Sequence, residues 1–279
     1  IHRNADVVSP DPVPWSHYWR HDYWGMPMDD PRSHKSFRPL VVLTFRANFL
    51  ISGTAEFGFH LDNVLFHALG SALVLPIAGT ILDGYSHASL FAALLFATHP
   101  VHAEAVAGVV GRAEVMCFVF YAAAFLAGVR AARRYHTSLR WSMAVCAFAA
   151  AATLCKETGI TVFGVLFFYE MLYVMNWLEL PVQAKDEAAA AAAARNPARV
   201  GKINAVVAAA TRFKLVSWQP DRFWPVFVRQ VSYALFGLVF MWWRLSLNQG
   251  VLPTWPEKDN QAAVSDELLP KLLNFPYIY

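Results

Sequence analysis

The chain has 279 residues, of which 57% are hydrophobic types and 15% charged. A soluble domain carries about 25% charged residues, so this composition argues against a water-soluble globule and points to lipid. The net charge of +3, with no single basic stripe, argues against nucleic acid as a partner.

Residues 1–36 are polar, proline-rich and aromatic, which predicts a folded loop rather than a span. Trp15, Tyr18, Trp19 and Trp24 suit a loop lying at a membrane interface. Residues 39–51 form a short apolar run interrupted by Arg46, the pattern of an interfacial helix. Residues 57–82 are long enough to cross a bilayer, for which about 20 apolar residues suffice. His60, Asp62 and His67 sit in its first half. The apolar run 88–98 is short and precedes Pro100, so a span there needs turns from 101–110. Residues 114–133 are the next span. The stretch 141–176 would be about 54 Å long as one helix at ~1.5 Å per residue, against a hydrocarbon core of ~30 Å. Lys156-Glu157-Thr158-Gly159 lies near its middle, so it divides into spans 141–155 and 159–176 around a tight polar turn. Residues 177–223 form a polar loop with an alanine run at 188–194, 224–246 the last span, and 248–276 a polar loop. Cys117, Cys146 and Cys155 lie in apolar stretches and read as small buried hydrophobes. The chain begins at Ile1 and ends without a polar tail, and both ends read as cut.

Short loops set orientation. Residues 130–140 carry Arg130, Arg133, Arg134 and Arg140 and no acid, and 177–223 carry seven Lys or Arg. The stretches 99–113 and 248–276 are poorer in both. The first pair is therefore expected on the cytoplasmic side. The expected organisation is a non-cytoplasmic loop with an interfacial helix (1–56), helices with short motif loops (57–176), a cytoplasmic loop with an alanine-rich insertion (177–223), a further span (224–247) and a second non-cytoplasmic loop (248–279).

The polar candidates fall on the non-cytoplasmic side: His34, Lys35 and Arg38; His99, His102 and Glu104; Arg112 and Glu114; Lys156 and Glu157. Ionisable groups near hydrocarbon are costly and are usually functional or paired. Arg and Lys hold phosphate through charge-assisted hydrogen bonds, and a carboxylate serves as base for an incoming hydroxyl. Each group also has a structural account. Lys156-Glu157 would cap a helical hairpin and snorkel, Arg112 and Glu114 would pair at a helix start, and His34, Lys35 and Arg38 would form a plain interfacial basic patch. Arg46 and His67 read as satisfied helix polar residues. His99 and His102 have the spacing of two metal ligands, but no cysteine or further histidine completes a set, so no metal is assigned. Asp29-Asp30, between Pro27 and Pro31, reads as a solvated turn.

Longer strings carry a resemblance. They are His21-Asp22-Tyr23-Trp24-Gly25, then Ser33-His34-Lys35-Ser36-Phe37-Arg38-Pro39-Leu40 with Leu43-Thr44-Phe45-Arg46, and Phe59-His60-Leu61 with Asn63-Val64. Next come His99-Pro100-Val101-His102, with Glu104 and the run on to Gly111-Arg112-Ala113-Glu114, and then Leu154-Cys155-Lys156-Glu157-Thr158-Gly159. Asp259-Asn260-Gln261-Ala262-Ala263 follows. In this order they resemble the transmembrane and tetratricopeptide-repeat (TMTC) family. The resemblance implies an all-α polytopic membrane protein, the partial membrane domain of a GT-C-type glycosyltransferase. It further implies an endoplasmic-reticulum O-mannosyltransferase moving mannose from dolichyl phosphate mannose to Ser or Thr of secretory or membrane proteins, with cadherin-like acceptors in animals. No cofactor is implied beyond that lipid-linked donor, and a divalent metal is not expected. The family's acidic pair corresponds to a position upstream of Ile1, so it is not carried onto Asp29 or Asp30. A transporter is the rival reading, with charges at mid-membrane in broken helices and often an inverted repeat. No such repeat is visible, and the charges gather at one interface. A non-catalytic membrane scaffold presenting a repeat array is a second rival.

Overall fold

The computed structural model describes residues 1, 3–82, 84, 86–132, 139–175 and 220–248. The expected loops over most of 177–223 and 248–279, and the string at Asp259, lie outside the described residues. The described residues carry helices and no strand beyond one isolated bridge between His21 and Pro27.

The first 38 residues fold onto the end of the helices. Helix α1 (Ala5–Val8) starts where the Asn4 side chain accepts from the Asp6 N–H. Asp22 then organises the following turn: its Oδ1 accepts from the Trp24 and Met26 N–H groups, and its Oδ2 from the Ser33 hydroxyl and the His34 N–H. One buried carboxylate thus satisfies four donors that would otherwise be orphaned. Pro39 opens α2 (Pro39–Ser52), a position where its missing N–H costs nothing. The fully buried Val41 and Phe45 seat α2 against this loop.

Helix α3 (Glu56–Ile81) has 26 residues, about 39 Å at 1.5 Å each. It turns Leu61, Leu65 and Leu69 outward. Helix α4 (His87–Thr98) starts in a capping box between Ser86 and Ser89 and breaks at His99-Pro100. The chain resumes in α5 (Ala103–Ala107) with a bend of 42°, the interrupted span expected from the short apolar run. Helix α6 (Arg112–Ala132) is the central post, with 72% of its span window buried, against 17% for α3. Helix α7 (Leu139–Cys155) packs along α6 through its fully buried Val145, Ala149 and Ala152. The polar turn Glu157–Thr161 leads into α8 (Val162–Tyr169) and a π-helical turn at Glu170–Val174. Helix α9 (Pro220–Ser246) returns to the starting end, its Leu235, Leu238 and Trp242 facing outward.

Outward leucines over a bundle with a buried centre are what a lipid solvent selects. Three described helices are long and apolar enough to cross a membrane, or four if α4 and α5 form one bent span. Helix α7 has 17 residues, about 25 Å, and falls short of a ~30 Å core.

Candidate functional site

Two charge systems occupy one end of the bundle. The first is sealed. Gly111 lies so close to the main chain of Ala105 that a Cβ would collide with it, and this fixes where α6 begins. Arg112, the next residue, is fully buried. Its Nε donates to Asn63 Oδ1 at 3.0 Å, Nη1 to Asn48 Oδ1 at 2.5 Å and Thr44 Oγ1 at 3.1 Å, and Nη2 to the Phe59 carbonyl at 2.7 Å. The Phe45 ring lies 4.4 Å from the guanidinium carbon, and Asp62 supplies a carboxylate at 3.6 Å. The planar fork of arginine is suited to this many fixed acceptors. Arg112 therefore ties α2, α3 and α6 together, and it pairs with Asp62 rather than with Glu114. Asn63 extends the knot by donating to the carbonyls of Val106 and Gly108.

The second system is open. Gly159 presses onto the α7 main chain at Ala152 and Thr153, closer than any Cβ allows, so the turn after α7 lies flat and presents Lys156 and Glu157. Arg38 Nη2 is 3.2 Å from Glu157 Oε2, and Arg244 Nη2 is 3.6 Å from Glu157 Oε1. Lys156 pairs with Glu114. The two carboxylate side chains are 41% and 48% exposed and the cations lie deeper, Arg38 at 19%, Lys156 at 12% and Arg244 at 5%, whereas Arg112 is sealed. Arg38 rests over the Tyr23 ring and Arg244 over Phe37. Arg244 also donates to the Lys35 carbonyl and to Asn248 Oδ1. The Nε atoms of Arg38 and Arg244 are buried with no hydrogen-bond acceptor among the described residues. Three cations meet two carboxylates, so the patch carries surplus positive charge and attracts an anion. Tyr23 braces the patch through its hydroxyl, which donates to the Val110 carbonyl at 3.0 Å. Burial pushes that phenol well above its ordinary pKa and keeps it a neutral donor.

The remaining sequence candidates fall elsewhere. Lys35 is buried at a positive φ of 59°, and its amine donates to the carbonyls of Met28 and Asp30, which fastens the loop. The His34 ring lies 2.6 Å from the Ser36 hydroxyl. Of that trio, Arg38 is the residue whose side chain reaches Glu157. His99 is exposed and its Nδ1 caps the Val101 N–H. His102 packs on Phe96 and beside His67, and Glu104 is exposed. No hydrogen bond or ion pair among the described residues joins His99, His102 or Glu104 to Arg38, Lys156 or Glu157. Arg46 is spent on the carbonyls of Val7, Ser9 and Asp11, and His67 sits against the Ala97 carbonyl. Asp30 is held by the Arg32 guanidinium and N–H, which lower its pKa to about 2. A carboxylate so acidic is a poor proton acceptor, in keeping with a turn.

Sequence reading missed Arg244, because an arginine near the end of an apolar helix reads as a snorkelling cation. It also placed the charges at one interface, and that needs correcting. Glu170 and Arg229 are buried within α8–α9 as a two-pronged pair, with Nε–Oε1 at 3.0 Å and Nη2–Oε2 at 2.9 Å. The pair locks α9 to the π turn, while Arg229 Nη1 stays buried with no hydrogen-bond partner among the described residues. An apolar groove of about 350 Å³ runs between α3, α6 and α8, lined by Ile81, Phe118, Tyr121, Phe125, Val165 and Leu172. Its Tyr121 is tied to the turn that carries Glu157, Oη lying 3.4 Å from Thr161 Oγ1.

Three cations and two carboxylates thus meet at one end of an apolar bundle, and sequence relatives give the family. The profile of the dolichyl-phosphate-mannose-protein mannosyltransferases matches residues 33–184. The chain belongs to this family. Among curated proteins, protein O-mannosyl-transferase TMTC3 of Homo sapiens is 46% identical over 167 residues, covering 59% of this chain and 18% of the relative. Protein O-mannosyl-transferase TMTC4 of Homo sapiens is 32% identical over 301 residues, covering 100% of this chain and 37% of the relative. Protein O-mannosyl-transferase Tmtc2 of Drosophila melanogaster is 45% identical over 174 residues, covering 61% of this chain and 18% of the relative. The chain thus spans from under a fifth to just over a third of the length of these mannosyltransferase relatives. No solved structure matches it.

Proposed function

We propose that the full-length protein is an endoplasmic-reticulum membrane O-mannosyltransferase, moving mannose from dolichyl phosphate mannose to Ser or Thr of secretory-pathway proteins, cadherin-like domains among them in animals. In this reading Arg38, Arg244 and Lys156 grip the donor phosphate, Glu114 and Glu157 hold those cations in place, and the isoprenoid tail lies in the α3–α6–α8 groove. Arg112 and Lys35 position the elements and touch no substrate.

The observation that carries this reading is convergence. Arg38, Glu114, Lys156-Glu157 and Arg244 come from four separate stretches and meet at one end of the bundle, and Tyr121 of the apolar groove is bonded to the same turn. As the sugar leaves through an oxocarbenium-like state, negative charge grows on the phosphate, and prepositioned cations stabilise it without reorganising. Both acids are tied to cations, so the base that takes the acceptor hydroxyl proton is assigned to neither. The Glu170–Arg229 pair is two-pronged and buried on both sides, unlike the open midplane site a transporter needs.

The test is mannose transfer from dolichyl phosphate mannose by full-length protein in membranes. Arg38→Ala and Arg244→Ala should each abolish most transfer at normal protein levels. Full activity in both variants would remove the assignment of these arginines to the donor phosphate, and absence of transfer by the unaltered protein would favour a non-catalytic scaffold.

A further inference from the structure

The loop ahead of α2 contains a side-chain cluster that the mannosyl-transfer reading does not use. Asp6, His17 and His21 bring one ligand atom each to within 4.8 Å of one another. His17 Nδ1 is 3.4 Å from Asp6 Oδ1, and His21 Nδ1 is 2.8 Å from Asp6 Oδ2. The two rings lie 4.5 Å apart. The Asp6 side chain is 3% exposed, His21 17% and His17 43%, so the cluster has a buried floor and an open face.

Its framework is fixed from several directions. Asn4 caps the Asp6 N–H and donates from its side chain to the Tyr23 carbonyl. Gly25, at φ +86°, leaves room for Asn4 that a Cβ would take. The Tyr18 hydroxyl donates to the Asp6 carbonyl, and the turn His17–Trp19 sets the two histidines one turn apart. His21 bridges to Pro27. Arg46 braces α1 from below through the Val7 carbonyl.

We propose that Asp6, His17 and His21 form a site for one divalent transition-metal ion, zinc being the ion this donor set suits. Two imidazole nitrogens and one carboxylate oxygen are a borderline-soft set that holds zinc in preference to calcium or magnesium. Tetrahedral zinc with ~2.0–2.1 Å bonds separates its ligand atoms by about 3.3 Å. The 3.4 Å spacing of His17 Nδ1 from Asp6 Oδ1 already matches, and because His21 faces Oδ2 the carboxylate turns to offer one oxygen to the ion. The 2.8 Å His21–Asp6 contact is a hydrogen bond and opens by about half an ångström when the ion replaces its proton. Both rings bind as neutral imidazoles through Nδ1, with the ring proton on Nε2, and water fills the fourth position on the open face. The ion clamps α1 to the His17–His21 turn, and through Asn4 to Tyr23, which carries Arg38.

The experiment uses full-length protein in detergent, stripped with a chelator and titrated with Co²⁺ and then Zn²⁺. One equivalent of Co²⁺ per chain should bind with visible d–d absorption that Zn²⁺ displaces, and Zn²⁺ should raise the thermal midpoint. His17→Ala truncates a half-exposed ring and should leave the metal-free midpoint unchanged. It should still weaken Zn²⁺ binding by more than about 100-fold, beyond the effect of losing a mere supporting partner. His21→Ala should do the same to binding, and the His99→Ala/His102→Ala double variant should bind as wild type. Absence of stoichiometric binding, or binding unchanged in His17→Ala and His21→Ala, would overturn the site. So would loss of binding in the His99/His102 control. None of these outcomes depends on whether mannose is transferred.

Discussion

Arg112 and Arg38 lie at the same end of the bundle, and the sequence offers them as equals. They differ in what their donors do. Arg112 is closed in and bonded to Asn63, Asn48, Thr44 and the Phe59 carbonyl. Arg38 meets one half-exposed carboxylate, stacks on Tyr23 and leaves Nε without an acceptor among the described residues. A guanidinium with its bonds already made stabilises the fold, whereas Arg38, 19% exposed and with fewer bonds made, is the one proposed to meet a ligand. Burial separates the Glu170–Arg229 pair, with both side chains inside, from the Lys156–Glu114 pair, whose carboxylate is 48% exposed.

The largest expected effect tests the sealed side. Arg112→Leu strands several buried acceptors and should cost about 3–5 kcal/mol, or more. It should be read as a lower thermal midpoint and reduced protein in membranes. Retention of normal stability with loss of transfer would instead put Arg112 in the donor site.

Breaking the interior pair should come close behind. Glu170→Leu or Arg229→Leu alone should cost about 3–5 kcal/mol by leaving a buried charge, while the double leucine variant should regain most of it. Thermal unfolding of the three variants tests the coupling. A double variant as unstable as the singles added together would mean that the two residues act independently.

On the open side the order of effects reverses, with activity moving and stability staying. Arg38→Ala should lower mannose transfer by about 100-fold or more, the loss typical of removing one preorganised charge-stabilising donor. Lys156→Ala should change stability by at most about 1 kcal/mol, the usual worth of a partly exposed pair, while also reducing transfer. A stability loss in Lys156→Ala as large as that of Arg112→Leu would erase the distinction between the two systems.

The smallest effect belongs to Asp30. Its pKa is depressed to about 2 by Arg32, so its contribution to stability is present above the ordinary carboxylate range and fades as pH falls toward 2. Asp30→Asn should leave transfer at pH 7 unchanged. Comparing its thermal midpoint with wild type across pH should show a small gap at neutral pH that closes in acid.

Much of the architecture was legible from the chain alone. Apolar runs of known length gave α3, α6 and α9. Pro100 gave the broken span at α4–α5, and Lys156-Glu157-Thr158-Gly159 gave the turn that splits 141–176. These are local properties, because a lipid solvent requires about 20 apolar residues to satisfy their own backbone bonds. The motif strings likewise named the stretches that form the bundle end, and Asp30 was correctly read as belonging to a turn.

What the chain could not reveal is which partner each polar residue meets. Lys35 looked like a phosphate ligand and is a loop fastener. Arg244 was not singled out, and it donates to the Lys35 carbonyl, 209 positions away. Asp6 and His17 carried no signal until the loop folded them beside His21. Composition and periodicity determine how far a segment is buried and which way it runs. Pairing depends on the spatial meeting of distant segments, and a hydrogen-bonding side chain is satisfied equally well by a carbonyl, a carboxylate or a ligand. Only the tertiary structure decided among those partners, and with them which charges remain available for chemistry.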